Sequence, residues 1–276
     1  MDSAAPKRAA REVERSTPFR WTARAGYVAN GVVHILIGVI ALVVAFGGDG
    51  ETDQGGALMA IASAPLGFLV LWFIAITLWA LGLWQILDGI LERKPSDDTP
   101  GQARKWGQRI GKWGQAAIFI TLGFIAAAVA LGAQVDAEQA AEDASRGLLV
   151  IPGGPLVLAL IGLGIGVGGV AFIVMGVRRS FRTNVAIPRE GAGRSISGLG
   201  VAGFVAKGIA LVILGILLII ASARSDADTA GGLDGALRAL LGLPYGPLLV
   251  GVIGIGFIAH GLFCLFRARY AQLEPA

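Results

Sequence analysis

Cysteine, histidine and charge are all scarce in this chain. Its 276 residues include one cysteine and two histidines, and only 15% of the residues are charged. The single thiol, Cys264, excludes an intramolecular disulfide and a metal site built from several cysteines of one chain. A charged fraction this small lies well below the ~25% that is usual in soluble domains. Composition therefore excludes an ordinary soluble globular protein.

Catalytic and cofactor-binding motifs are missing as well. The sequence contains no His-Glu-x-x-His, no Gly-x-Ser-x-Gly, no phosphate-binding Gly-x4-Gly-Lys-Ser/Thr and no Cys-x-x-Cys. These motifs are typical of zinc proteases, serine hydrolases, nucleotide-binding proteins and thiol oxidoreductases. We therefore expect a protein that is not an enzyme, and we predict no bound cofactor or metal.

Apolar residues are what the chain has in abundance. They make up 55% of the residues, and the mean hydropathy is +0.70. Six apolar runs of about 18 to 21 residues are each long enough for an α-helix to cross roughly 30 Å of hydrocarbon at about 1.5 Å per residue. These runs lie near residues 26–46, 66–87, 114–131, 156–177, 201–221 and 247–266. The sequence therefore predicts an all-α integral membrane protein with six transmembrane helices.

A frame of glycines in the first apolar run returns twice along the chain. Each copy carries a polar residue about one turn after its first glycine, at Asn30, Gln115 and Lys207. Self-similarity at a nearly constant interval is typical of tandem structural units. Since the units share one orientation, they are parallel repeats, and we predict a pseudo-three-fold bundle. The predicted organisation is a basic tail at residues 1–20 and two-helix units at 21–95, 96–183 and 195–271.

Lys and Arg are distributed unevenly between the loops. Nineteen of the 23 lie in the N-terminal tail, in the stretches 93–112 and 178–194, or near the C-terminus, whereas the three intervening loops hold only three and are acidic. The positive-inside rule then predicts a multi-pass protein of the bacterial plasma membrane with both termini cytoplasmic. The sequence pI of 9.6 indicates contact with anionic lipid on the cytoplasmic face. Nucleic-acid binding is not needed to explain it.

The helix pairs, their glycine frame and one string of residues carry a family resemblance. The string runs Asp53-Gln54-Gly55-Gly56-Ala57-Leu58, then Pro65-Leu66-Gly67, then Gly82-Leu83-Trp84. It resembles a bacterial, mainly actinobacterial, membrane family catalogued as domain of unknown function 1206. The resemblance implies six transmembrane helices in three tandem units, and it carries no catalytic residues.

Polar residues interrupt the apolar helices at similar depths. We predict that they face the bundle interior, because an ionisable group facing lipid is costly, and that they form one polar belt in the cytoplasmic half. Asp88 and Lys207 are expected to lie nearly level there, and we expect the two charges to pair. The predicted belt consists of Asn30, His34, Gln85, Asp88, Gln115, Lys207 and His260.

The belt has three interpretations. Its side chains hydrogen-bond neighbouring helices and have a structural role only, or they line a water-filled path for a solute, ion or proton. In the third, His34 and His260 come from the first and last helices of a closed ring and are the axial ligands of a haem b.

The remaining sequence feature is its 42 glycines, which we interpret as helix-packing residues because small side chains let membrane helices approach closely. The leading functional hypothesis is a non-catalytic scaffold or accessory subunit, whose partners are other membrane proteins or a second copy of this chain. The alternative is a channel or transporter that uses the polar belt. The predicted packing glycines are Gly31, Gly38, Gly123, Gly162, Gly166, Gly208 and Gly215.

Overall fold

A computed structural model describes residues 17–91, 102–184 and 192–270 of the protein. Most of the predicted basic tail at 1–20 lies outside these ranges. Within them the chain forms nine α-helices, two 3-10 turns and no strand. The helices are α1 (Thr17–Ala45), α2 (Gln54–Ala62), α3 (Gly67–Leu91), α4 (Gln102–Ala130), α5 (Ala137–Leu149), α6 (Gly154–Val177), α7 (Ala192–Arg224), α8 (Gly232–Leu241) and α9 (Gly246–Tyr270), and the 3-10 turns are Ser180–Asn184 and Ala227–Thr229.

Six of these helices are long and apolar enough to cross a membrane. Their candidate spans are Arg24–Ala45, Gly67–Leu87, Gly111–Ala130, Gly154–Val177, Gly193–Arg224 and Gly246–Arg269. They belong to α1, α3, α4, α6, α7 and α9. The prediction of an all-α, six-span membrane protein is confirmed.

The long helices pack in a cyclic order that follows the repeat. The most extensive interfaces are α9 with α1, α3 with α4, and α6 with α7, and each joins the second spanning helix of one unit to the first of the next. Within units, α1 packs on α3 and α7 packs on α9, but α4 and α6 share no packed interface over their described lengths. The result is a pseudo-three-fold ring in which the two helices of the middle unit are not packed against each other over their described lengths.

Glycines set the spacing between α1 and α9. A Cβ atom on Gly31 would lie 2.8 Å from the carbonyl oxygen of Gly261, and one on Gly38 would lie 2.5 Å from that of Gly254. Any side chain at these positions would push the backbones apart. The two helices therefore touch backbone to backbone, as small residues permit in membrane proteins.

The same close contacts recur at the other two long interfaces. A Cβ atom on Gly208 or on Gly215 would lie 2.6 Å from the carbonyl oxygen of Gly169 or Gly162, respectively. Between α3 and α4, Gly123 packs against Trp79, with Ala75 behind it. All three interfaces thus have small residues at repeat-equivalent positions.

One predicted packing glycine differs from the others. A Cβ atom on Gly166 would meet nothing within 4 Å, although the Gly166 backbone nitrogen lies only 2.7 Å from where a Cβ on Gly215 would be. Gly166 therefore contributes its backbone to the α6–α7 interface, while its own Cβ position points into open space.

The three short helices α2, α5 and α8 form a cap on one side of the bundle. The helix α5 contacts both α2 and α8. The three helices lie on the side opposite the start of α1 and the end of α9, and we call these two sides the cap side and the terminal side. Asp53 begins α2 by accepting a hydrogen bond of 2.8 Å from Gly56 N, and Asp136 begins α5 in the same way through Gln139 N. Such N-caps satisfy backbone groups that a helix start leaves unpaired.

A buried carboxylate holds the cap together. Asp234 of α8 is 1% exposed and accepts hydrogen bonds of 2.6 Å from both the backbone N and the Oγ1 of Thr52. Arg238 also donates to Asp234 and lies 3.7 Å from Glu138 of α5. Burial alone would raise the pKa of Asp234, but the hydrogen bonds from Arg238 and Thr52 outweigh it and lower that pKa.

Candidate functional site

Two of the three long interfaces contain a polar contact at equivalent repeat positions. At the α3–α4 interface Gln85 Nε2 donates to Gln115 Oε1 at 2.6 Å. At the α9–α1 interface Asn30 Nδ2 lies 3.5 Å from Cys264 Sγ. Hydrogen bonds between membrane helices each add a fraction of a kcal/mol to stability. A structural role at the helix interfaces is therefore sufficient to explain these two contacts.

Lys207 occupies the third equivalent position and behaves differently. Its Nζ lies 5.5 Å from the ring centroid of Phe172, the residue that replaces an amide or thiol partner on α6. A cation over an aromatic face is attracted by the ring quadrupole, but the ring offers no countercharge. The third interface thus places a lysine nitrogen where the other two place neutral groups.

Lys207 also reaches His34 on α1. The Lys207 Nζ lies 3.1 Å from His34 Nε2, and His34 Nδ1 lies 2.8 Å from the carbonyl oxygen of Asn30. Since that carbonyl can only accept, we assign the ring proton to Nδ1, which leaves Nε2 to accept from the lysine. His34 is therefore a neutral imidazole that orients the Lys207 amino group.

The second histidine lies against the first. The ring centroids of His34 and His260 are 4.9 Å apart, and both side chains are buried. His260 also makes an edge contact with Phe204 at 5.2 Å. Its Nδ1 is buried and has no hydrogen-bond partner among the described residues. Buried polar atoms are nearly always paired, so this nitrogen marks a place for a water molecule or a ligand group.

The haem alternative does not fit this geometry. Two axial histidines must each direct a ring nitrogen at the iron, but both ring nitrogens of His34 lie within hydrogen-bond distance of other groups. The rings of His34 and His260 are also in direct contact, which leaves no room for a porphyrin between them.

A cavity of about 250 Å³ connects Lys207 with the underside of the cap. Lys207 is the basic side chain that lines it, and the walls above are mainly apolar. Such a chamber, apolar with few polar groups, is typical of small-molecule sites. Its lining within the bundle is Lys207, Ala210, Leu211, Leu214 and Phe257, and its lining at the cap is Asp53, Gln54, Ala137, Gly232 and Leu233.

Aromatic rings close the terminal side of the histidine pair. Phe181, on the 3-10 turn after α6, stacks on Phe204 at 5.3 Å and meets Phe263 edge-on at 5.0 Å. All three rings are buried. A solute that reached His260 from the cavity would therefore meet a packed aromatic cluster.

The predicted polar belt is divided by the structure into two groups. Asn30, His34, Lys207 and His260 lie together where α1, α7 and α9 meet the interior, whereas Gln85 and Gln115 form a separate pair between α3 and α4. No packed α3–α7 interface is found over the described lengths of these helices.

The expected pairing of Asp88 with Lys207 stays a prediction. The Asp88 side chain lies outside the described residues. Lys207 contacts His34 and Phe172.

Two groups at this site were not singled out from the sequence. Phe172 follows from the repeat, because it stands where Gln85 and Cys264 stand in the other units, so aligning the units would have paired it with Lys207. Phe257 had no such signal. It lies one turn before His260 and packs within 6.0 Å of His34, but a phenylalanine in an apolar helix does not stand out.

Comparison with known proteins places the chain in a family. The sequence pattern of the family described as Domain of Unknown Function (DUF1206) matches residues 25–92, 110–179 and 202–271. A relative in Bacillus subtilis (strain 168), described as "Uncharacterized protein YxxB", is 29% identical over 252 residues, which cover 91% of this chain and 90% of the relative. No solved structure matches the chain. Since the three matches together cover well over half of the sequence, the resemblance is confirmed and the chain belongs to the DUF1206 family.

Proposed function

We propose that the protein binds a small anionic solute in the cavity below the cap and moves it across the membrane. The supporting observation is Lys207, which ends the cavity and has a neutral imidazole and a phenyl ring as its neighbours. A lysine within a membrane helix costs about 2.5–3.5 kcal/mol on insertion scales and usually marks a pathway. An anion in the cavity would supply the missing countercharge.

The residues beyond Lys207 support movement as well as binding. His34 and then His260, with its unpaired Nδ1, continue the line of polar groups from the cavity toward the terminal side. The cluster of Phe181, Phe204 and Phe263 interrupts this line. Passage then requires a conformational change that separates these rings, which favours a transporter over an open pore.

A scaffold or accessory subunit is the second candidate. It is favoured by α6, since only 17% of its apolar stretch is buried, which leaves a helix face for another membrane protein or a second copy of this chain. Under both functions we propose a non-enzymatic protein of the bacterial plasma membrane, with cytoplasmic termini in contact with anionic lipid.

Anion flux into reconstituted vesicles tests the leading proposal. Light scattering would follow the swelling of vesicles in potassium chloride, nitrate, acetate or phosphate, with valinomycin to balance charge. We expect swelling in at least one salt, and a loss of about tenfold or more with Lys207→Gln, which introduces the amide of the second unit. The matched control is Arg224→Gln, which changes a basic residue that is exposed at the cap end of the same helix, and it should leave swelling unchanged.

Two results would reject the transport of small anions. One is wild-type vesicles that do not swell faster than protein-free vesicles in any of the four salts. The other is Lys207→Gln swelling at the wild-type rate. In either case the scaffold becomes the better proposal, and a defined partner recovered after gentle extraction would support it.

A further inference from the structure

The interior of the bundle is less well covered on the side of the middle unit. His34 and Ile37 of α1 are 2% and 0% exposed. Their repeat equivalents on α7, Leu211 and Leu214, line the cavity but are only half-buried. Equivalent residues on symmetric helices should be equally buried if the ring were closed. The cavity wall on α7 therefore faces an opening.

Missing helix contacts locate this opening. In the first unit a Cβ atom on Gly26 would lie 2.5 Å from the Thr77 carbonyl oxygen, and in the third unit one on Gly203 would lie 2.5 Å from the Cα of His260. The middle-unit equivalents are Gly111 on α4 and Gly168 on α6, and a Cβ atom on either would meet nothing within 4 Å. Over the described residues of α4 and α6, the contact that closes the other two units is thus absent.

The chemistry of the chamber restricts what can enter by this route. Its walls are apolar along Leu211, Leu214 and Phe257, and it ends inside the bundle at the amino group of Lys207. The carboxylate of Asp53 lies at the cap end of the lining, where it accepts a hydrogen bond from Gly56 N, so the only charge among the described residues at the inner end is the positive charge of Lys207. One cation matches a head group with one negative charge. A volume of about 250 Å³ is below the ~300–1,000 Å³ of drug-sized pockets, so it suits one hydrocarbon chain better than two.

We propose that the anionic solute is a single-chain fatty carboxylate that enters sideways from the bilayer through the opening between α4 and α6. Its carboxylate pairs with Lys207, and its chain lies along Leu211, Leu214 and Phe257. The proposal rests on the binding function proposed above and names its ligand. An amphiphile of this kind is already concentrated in the bilayer, so an opening toward lipid supplies it directly.

Binding of cis-parinarate, a fluorescent fatty acid, tests the ligand class. The full-length protein in nanodiscs of zwitterionic lipid should bind it saturably above the background of empty nanodiscs. Laurate should displace it, whereas dodecanol, which has a similar chain without the charge, should not. Lys207→Gln should weaken binding about tenfold or more, since a charge-assisted hydrogen bond is lost.

Two leucine substitutions test the chamber itself. Leu214→Phe adds bulk to the cavity wall and should reduce parinarate binding at least about tenfold. Leu163→Phe makes the same change on α6 at a residue that is 53% exposed, outside the cavity lining, and should leave binding unchanged. If Leu214→Phe does not fold, Lys207→Gln and the dodecanol comparison still decide the question.

The route of entry has its own measurement. Gly164 lies one turn nearer the cap than Gly168, and a Cβ atom there also meets nothing within 4 Å. Gly164→Leu should therefore leave the fold intact and slow parinarate association in stopped-flow mixing. An unchanged association rate would reject entry between α4 and α6.

The remaining outcomes separate this inference from the proposed function. If parinarate does not bind above background while acetate or another small anion drives Lys207-dependent swelling, the fatty-carboxylate proposal is rejected and solute transport stands. If neither happens, both are rejected. If parinarate binding depends on Lys207 and Leu214 but none of the four salts drives swelling, the fatty carboxylate stands as the ligand and only the transport of small anions is rejected. Parinarate binding that is equal in wild type, Lys207→Gln and Leu214→Phe reports the lipid-facing surface only and also rejects the inference.

Discussion

The Nζ of Lys207 and the Nε2 of His34 lie 3.1 Å apart, although their helices α7 and α1 share no packed interface over their described lengths. Both helices pack on α9, and the two side chains meet across the interior in front of it. The two side chains can meet only because the units pack in a ring, which brings α1 and α7 to the same helix α9. It also orients the lysine that ends the cavity.

We expect His34 and Lys207 to be energetically coupled. His34→Leu, which introduces the residue of the third unit, removes the acceptor of Lys207, and Lys207→Met leaves the His34 Nε2 unpaired. Each loss costs about 1–3 kcal/mol, so the double variant should be more stable than the sum of the single effects predicts, by about 0.5–3 kcal/mol. Thermal unfolding in detergent measures the cycle. Gln85→Leu combined with Lys207→Met is the control and should be additive within about 0.5 kcal/mol.

Two glycine substitutions should change stability in opposite directions. Gly38→Ala places a Cβ atom 2.5 Å from the Gly254 carbonyl oxygen and should destabilise the protein by about 1–3 kcal/mol through overpacking. Gly164→Ala meets nothing within 4 Å and should be neutral or stabilise by up to about 1 kcal/mol through helix propensity. Unfolding temperatures in detergent would show the contrast. Equal destabilisation by both changes would contradict the close helix contact.

Stability should fall as the pH rises through neutrality because of Glu138. Burial, together with the neighbouring Asp234, raises the pKa of Glu138 to about 7, against an opposing effect of Arg238. The folded state then holds a proton that the unfolded state releases near pH 4–5, so this stabilising contribution is complete below that range and is lost as pH rises through about 7.

Thermal unfolding between pH 5.5 and 8.5 measures this effect. Glu138→Gln, which mimics the protonated group, should flatten the pH dependence and be more stable than wild type at pH 8.5. Asp49→Asn, an exposed carboxylate on the cap side, is the control and should retain the wild-type slope. A Glu138→Gln profile that runs parallel to wild type would show that another group titrates.

The membrane orientation remains a prediction from the distribution of Lys and Arg. In a Cys264→Ala background, Asp228→Cys on the cap should react with an impermeant maleimide in intact cells. Arg178→Cys, at the terminal end of α6, should react only after permeabilisation. Both positions are exposed, so access and not burial decides the labelling, and the reverse pattern would invert the topology.

The spanning helices and their repetition follow from the sequence alone. Hydropathy is a local property, so each apolar run indicates a span without knowledge of its neighbours. The recurring glycines also predict where helices touch, because only small residues permit backbone contact of the kind seen between Gly38 and Gly254. These features depend on composition and spacing, and both can be read along the chain.

The grouping of the polar residues was decided only by the tertiary structure. Depth along a helix follows from counting residues, so Gln85, Lys207 and His260 were placed in one belt. Which of these side chains meet depends on how each helix is rotated about its axis and on which helices are adjacent. A helix that is apolar on all sides has no polar face from which its rotation could be predicted. The unit order brings Lys207 to His34, whereas Gln85 stays with its own interface partner. The opening at Gly168 was also decided only by the tertiary structure. In sequence Gly168 resembles the packing glycines, but a glycine brings two helices into contact only if the backbone of the opposite helix lies close to it.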